Sequence, residues 1–243
     1  MPELPASAFY TGLVADLYGP LKSTSFHADP YHDLIRRFGE PALELGCGDG
    51  DPLLDLRGRG LDVDGIDSSP DMIERLHRRA SERGMAVNAW VDLMETLRAP
   101  RSYQTVFLAG PTFNLLPDDH AMSQALSRIA EVLSPDGSAV IPLFVPESVG
   151  SEDIGAPTRE STSMGWIQCQ VVSAVRNEHA RTQTLTLRYE RNEGARTQIL
   201  ERDWVIHWIS FEGFTAIARQ AGLQLVSPPP KVDHEPVDVV LRH

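Results

Sequence analysis

What the chain has little of narrows it first. Cys47 and Cys169 are its only cysteines, so it has no disulfide framework, and their positions fit no zinc-site spacing. Lys22 and Lys231 are its only lysines, which leaves arginine to carry nearly all the positive charge. The 22 basic side chains are outnumbered by 34 acidic ones, for a net charge of -12. Such a surface repels a phosphate backbone, and no basic cluster of the needed size interrupts it, so nucleic acid is not expected as a partner. No apolar run reaches the roughly 18 residues that span a bilayer. The opening Met1-Pro-Glu-Leu-Pro lacks the basic start and apolar stretch of a signal peptide. We therefore expect a cytoplasmic protein with no membrane partner, and the arginine-rich codon usage suggests a high-GC bacterial genome.

What is present suits one large domain. The 243 residues, 42% of them hydrophobic, are enough for a sizeable core. Residues 8–38 read as helical, with a break at Gly19-Pro20. Strands are then expected at 42–45, 61–66, 87–91, 105–109 and 138–143. Helices fall between them at 53–57, 70–83 and 118–133, with Ser69 as a cap and Pro70 in the first turn. This alternation implies a parallel sheet covered on both faces. Three β-rich runs, 166–175, 183–191 and 197–209, read as an antiparallel meander reached through a linker at 146–164. A helix at 211–221, a strand at 223–226, a rigid Pro228-Pro-Pro loop and a strand at 237–241 complete the pattern. The expected fold is an α/β, Rossmann-like, seven-stranded and mostly parallel sheet with an antiparallel last strand, plus a three-stranded antiparallel insertion. Its expected parts are a helical cap (1–39), the sheet domain (40–145 and 211–243) and the insertion (146–210). The edge of the insertion could also pair two copies into a homodimer.

The most specific segment is Glu44-Leu-Gly46-Cys-Gly48-Asp-Gly50-Asp51, between a strand and a helix. Glycines there allow positive φ and close approach of a ligand. The spacing is G-x-G-x-G; a dinucleotide fingerprint needs G-x-G-x-x-G, and position 51 holds Asp, whose charge opposes a pyrophosphate. Glu44 at the strand end suits an ammonium or sulfonium group. Asp67, which ends the second strand, can accept hydrogen bonds from both hydroxyls of a ribose.

Together, Glu44–Asp51 and Gly65-Ile-Asp67-Ser-Ser-Pro70-Asp-Met72 resemble the first two motifs of the class I S-adenosylmethionine-dependent methyltransferases, and the likeness extends over residues 40–145. The resemblance implies S-adenosylmethionine as cofactor, leaving as S-adenosylhomocysteine, and no metal. It implies that Glu44, Gly46, Gly48, Gly50, Asp67 and Ser68 hold the methionine and ribose parts. Met72, Asp92, Leu93, Met94 and Ala109 would then lie along the adenine and the strand ends. The insertion resembles that of bacterial N-methyltransferases acting on amines, amino sugars and natural products, where it covers the active site. The implied partner is a small-molecule methyl acceptor of secondary metabolism.

Methyl transfer from a sulfonium needs alignment and exclusion of water more than it needs acid–base groups. Candidates on the acceptor side are correspondingly diffuse. Tyr18, His27, Asn114 and His207 are candidate catalytic groups, and Tyr31, Thr112, Arg202 and Trp208 candidate acceptor contacts. Ala15-Asp16-Leu-Tyr18 partly matches the family's tyrosine stretch near the methyl group. Asn114 stands near where amino-sugar relatives often place a histidine. His27 and His207 read equally well as structural residues, and the tryptophans as the core of a small sheet. Three readings remain open: methyl transfer to an amine, methyl transfer to a hydroxyl or carboxylate, and cofactor binding without catalysis.

Overall fold

The structure, a computed structural model, describes residues 6–22, 27–226 and 234–243. Three helices open it: α1 (Ala6–Phe9), α2 (Leu13–Leu21) and α3 (Asp29–Phe38). The alternating region follows as β1 (Ala42–Leu45), α4 (Leu53–Gly58), β2 (Val63–Asp67), α5 (Pro70–Glu82), β3 (Ala89–Val91), β4 (Tyr103–Phe107), α6 (Asp119–Val132) and β5 (Leu133–Leu143). After an insertion, α7 (Phe211–Gln220), β10 (Gln224–Leu225) and β11 (Val237–Arg242) complete the main sheet. Its strand order is β10-β11-β5-β4-β1-β2-β3, with β11 antiparallel to β5. The Pro228-Pro-Pro loop lies outside the described residues.

Side chains alternate across this sheet, as a strand covered on both faces requires. Leu43, Leu45, Val106, Ile141 and Val239 join α6 and α7 in one apolar cluster. Ala42, Val63, Phe107 and Val140 join α3, α4 and α5 in a second. Ser69 caps α5 as its position implies, its Oγ accepting from the Met72 N–H at 3.2 Å. Gly65 is needed for packing at this level. A Cβ there would lie 2.5 Å from Leu53 Cδ1 and 2.9 Å from Cys47 Sγ, which also shows Cys47 as a packing residue. Gly65→Ala is accordingly expected to lower stability by about 1–3 kcal/mol. Urea unfolding measures this, and an unchanged midpoint would contradict the packing at the α4–β2 contact.

The insertion forms a second sheet, antiparallel, in the order β6-β7-β8-β9: β6 (Pro157–Thr162), β7 (Gly165–Asn177), β8 (Thr182–Glu193) and β9 (Arg196–His207). It has four strands where the sequence predicts three. The unread one, β6, lies in the expected linker and is exposed along its whole length. With neither face buried it shows no alternation of apolar and polar residues to read. One face of this sheet packs on the opening helices: Phe9, Val14 and Leu17 meet Ile167 and Tyr189 in a third cluster.

Two breaks fall elsewhere than expected. Pro20 sits in the last turn of α2, and the chain breaks instead between α1 and α2, where Gly12 has φ +56°. The turn expected at Ser134-Pro-Asp-Gly is absorbed into β5. Tyr103 and Thr105 pair with Leu133 and Ser138, so two steps on β4 span five on β5, a wide irregularity in the ladder.

Candidate active site

The glycine turn leaves the carboxyl end of β1, where ligands bind in sheets of this order. Its first two amides, Gly46 and Cys47, both donate to the Ile66 carbonyl at 2.8 and 2.9 Å, which pins the turn against β2. Gly46, Gly48 and Gly50 all have positive φ, at +75°, +54° and +103°. Space is also short at two of them: a Cβ on Gly46 would lie 2.7 Å from Thr112 Cγ2, and one on Gly50 2.8 Å from Leu54. Asp67 faces this turn across the top of β2. The Gly48 amide donates to its Oδ2 at 2.9 Å and the Ser69 amide to its Oδ1 at 2.8 Å. Burial raises its carboxyl above the ordinary value against the pull of those two amides. Each oxygen keeps a lone pair for a hydroxyl, so a vicinal diol suits the carboxylate.

Glu44 is the least satisfied group nearby. It is wholly buried, and among the described residues neither carboxylate oxygen has a hydrogen-bond partner. Burial pushes its carboxyl well above the usual range, and the nearby charges of Asp51 and Asp67 push the same way. A buried orphan acid is costly unless a cation or donor meets it. This fits the ammonium of a methionine-like ligand lying along the turn.

The other two acids of the turn are held by cations. Lys22 Nζ reaches Asp49 at 2.7 Å and Asp51 at 2.9 Å, and Arg79 reaches the same two carboxylates at 2.9 and 2.8 Å. These pairs offset the repulsion expected of Asp51 alone, and Lys22 and Arg79 stand too far from it along the chain for the pairing to be read from the sequence. These ion pairs also tie α2 to the turn. Asp16 of α2 adds ion pairs to Arg75 of α5 and Arg191 of β8.

A cavity of about 400 Å³ opens between the turn, the loop after β3, the loop after β4, the opening helices and the insertion. Of the sequence-predicted residues, Gly46, Asp67, Ser68, Asp92, Leu93, Met94 and Thr112 line it. Gly48, Gly50 and Glu44 stand in or beside the turn but not in its lining. Met72 is buried within α5, and Ala109 is buried past the end of β4.

The structure does not bring most of the acceptor-side candidates to the cavity. Asn114 is buried in the 3₁₀ turn Thr112–Leu115 (after β4), and its Nδ2 donates to the Phe144 and His207 carbonyls at 3.2 and 2.9 Å. Those residues flank the insertion, so Asn114 clamps both of its stems. His207 is 3% exposed, and its Nε2 meets Asp119 Oδ1 at 2.9 Å. Arg202 donates to the Ala8 and Phe9 carbonyls and to Thr11 Oγ1, which fastens α1 to β9. Trp208 is buried under the Arg176 guanidinium at 4.4 Å. Tyr31 stacks on Phe107, and burial pushes its hydroxyl up to about 12. His27 is exposed just before α3. Tyr18 packs edge-on against Tyr10 at 5.4 Å, one layer behind the lining, with its hydroxyl pushed far up by burial.

Further lining residues come from segments that the sequence marks only in part or not at all. Phe9 and Tyr10 come from the short α1 segment, and Leu115, Leu116 and Pro117 follow the 3₁₀ turn. Thr182, Asp203, Trp204 and Val205 come from the insertion. Burial, then the Asp67 charge, pushes the Tyr10 hydroxyl up to about 12. Asp203 and Trp204 belong to the stretch from Arg202 to Trp208 that the sequence offers for acceptor-side roles, where Trp204 reads more readily as the core of a small sheet than as part of an aromatic cage; which face of β9 meets the cavity depends on tertiary packing.

Comparison with known proteins agrees with this geometry. Residues 42–137 match the family model described as a methyltransferase domain. A protein of Geobacillus sp. (strain WCH70), named provisionally as a methyltransferase, is 24% identical over 193 residues, covering 75% of this chain and 76% of its own. The methyltransferase CcbJ from Streptomyces caelestis superposes with a TM-score of 0.77 at 19% identity, over 96% of this chain and 97% of its own. The sugar N-methyltransferase KedS8 from Streptoalloteichus sp ATCC 53650 gives a TM-score of 0.77 at 17% identity, over 96% and 94%.

Proposed function

We propose that this chain, a class I S-adenosylmethionine-dependent methyltransferase by its matched domain and its fold, methylates an amine of a small metabolite. The observation that carries the cofactor half of this reading is the pairing of Asp67, fixed by two turn amides, with the orphan carboxylate of Glu44. On this reading Asp67 holds the ribose hydroxyls, Glu44 receives the ammonium, and Gly46 gives the backbone room to approach. Asp92, Leu93 and Met94 lie along the adenine. When bound, S-adenosylmethionine supplies a methyl group on a sulfur that is already cationic, so its departure needs no acid.

The protein's own task is then positioning and exclusion of water. Phe9, Leu115, Leu116, Trp204 and Val205 supply apolar walls for this. The four-stranded sheet acts as a lid, with α1 and α2 strapped to it through Arg202 and Asp16. The amine preference draws its support from the likeness to KedS8, a sugar N-methyltransferase. Methyl transfer should be followed by mass spectrometry over a panel of primary and secondary amines, each with its matched alcohol. The amines are expected to gain one methyl mass and the alcohols none. Methylated alcohols alone would overturn the amine reading and leave the cofactor reading standing. No transfer to either, with S-adenosylhomocysteine bound, would favour cofactor binding without catalysis.

A further inference from the structure

At the acceptor end of the cavity, the polar side chains serve the framework. Asn114 Nδ2 donates to the Phe144 and His207 carbonyls. His207 Nε2 and the Arg181 guanidinium both meet Asp119. Arg202 is turned to the Ala8 and Phe9 carbonyls and to Thr11 Oγ1. Asp203 is exposed, and its Oδ1 accepts the Thr186 hydroxyl at 2.7 Å, on the face of β9 opposite the one that carries Trp204. Thr112 turns its methyl group toward Gly46, at the cofactor end.

Carbon is what remains to face a ligand. Phe9 and the consecutive Leu115, Leu116 and Pro117 line this end from the main domain, and Trp204 and Val205 line it from the insertion. Trp204 is half-buried with its Nε1 wholly covered, so the part of the indole left uncovered is ring carbon. Among the described lining residues, the hydroxyls of Tyr10 and Thr182 are the polar side-chain groups still available there. They suffice to orient one polar group, and not the row of hydroxyls on a hexose. A hydroxyl buried against carbon without a partner destabilises a complex. A carbon ring in the same place is favoured, and an arene can also pack on the indole.

We infer that the methyl acceptor carries its reacting group on an apolar body, an arene or a saturated carbocycle, and is not a sugar. This rests on the reading of the cavity as a methyltransferase site. It concerns the body of the acceptor and holds whether the reacting atom is nitrogen or oxygen. Leu115, Leu116, Trp204 and Val205 select the body, and the Tyr10 and Thr182 hydroxyls are left to orient the one polar group.

Calorimetric titration of the protein saturated with S-adenosylhomocysteine tests this. The probes are cyclohexylamine and 2-phenylethylamine beside an aminohexose, and the corresponding alcohols, cyclohexanol and 2-phenylethanol, beside a methyl hexoside. At least one carbon-bodied probe is expected to bind about tenfold or more tightly than its sugar counterpart, the scale of one hydroxyl left without a partner. Leu115→Gln and Val205→Thr, which put a polar group on each of two walls, are expected to shrink that preference severalfold. S-adenosylhomocysteine binding by the same samples shows that the variants are folded. Sugars binding as well as the carbon-bodied probes, no probe binding at all, or a preference that survives in both variants would each overturn the inference. A preference for the carbon body among the alcohols alone would uphold it and strike the amine reading. Failure of S-adenosylhomocysteine to bind the wild type would instead strike the methyltransferase reading.

Discussion

Asp67→Ala is expected to cost about 3–6 kcal/mol of cofactor affinity, the loss of two hydrogen bonds to a charged group. That is a weakening on the order of 10²–10⁴-fold. On the proposed reading the variant removes the carboxylate that would meet the ribose, and it also strips the Gly48 and Ser69 amides of their acceptor. The glycine turn therefore loosens as its ligand contact disappears, and both effects act in the same direction. Asp67→Asn separates them: one carbonyl oxygen still serves an amide while the charge is gone, so an intermediate loss is expected. Calorimetric titration with S-adenosylhomocysteine reads both variants. Affinity unchanged in Asp67→Ala would remove the ribose from this site.

Glu44→Gln is expected to move stability and binding in opposite directions. The folded-state carboxyl lies well above its ordinary value because of burial, with Asp51 and Asp67 adding to it. The fold thus favours the neutral form. Its contribution to stability is full below the unfolded value of about 4.3 and is lost as pH rises through the folded one. Glutamine keeps the shape and removes the ionisable group. The ligand-free variant should therefore match the wild type in acid and gain on it toward neutral pH, by about 1–2 kcal/mol or ~2–8 °C in Tm. Losing the partner of the ligand's ammonium should weaken S-adenosylhomocysteine binding by about 10–100-fold. Thermal melts across pH together with one titration check both halves. A variant that melts lower and binds as well as the wild type would mean that Glu44 is a structural acid.

The proposed cofactor end is legible in the sequence because its chemistry is local. Three glycines that need positive φ, an acid at the end of β1 and another at the end of β2 fall within two dozen residues, between strands whose apolar runs read clearly. Asp67 and Gly46 stand where that pattern puts them. The acceptor end was not legible, because its residues converge only through tertiary packing. Asn114 and Thr112 are neighbours in one turn, yet Thr112 lines the cavity and Asn114 donates to the two stems of the insertion. Residue type named both as candidates; only direction tells them apart. His207 and Asp119 are far apart in the chain and pair only in the fold. Phe9 ends a helical turn too short to show a face and Tyr10 follows it; Arg202, far along the chain, fastens the Ala8 and Phe9 carbonyls to β9, and Ser69 Oγ donates to the Tyr10 carbonyl at 2.6 Å. The insertion has one strand more than the sequence predicts for a related reason: β6 is exposed on both faces, and without burial there is no period to detect.

Which nucleoside the cavity takes is tested most directly by a thermal-shift titration with S-adenosylhomocysteine beside NAD. At about 100 times its Kd, S-adenosylhomocysteine should add roughly 2.7 kcal/mol of stability. For a chain of this size that corresponds to a rise in Tm of about 5–10 °C. NAD should leave Tm unchanged, since the turn has G-x-G-x-G spacing and the cations beside it are held by Asp49 and Asp51. A rise with NAD and none with S-adenosylhomocysteine would contradict the account at its base and point to redox chemistry.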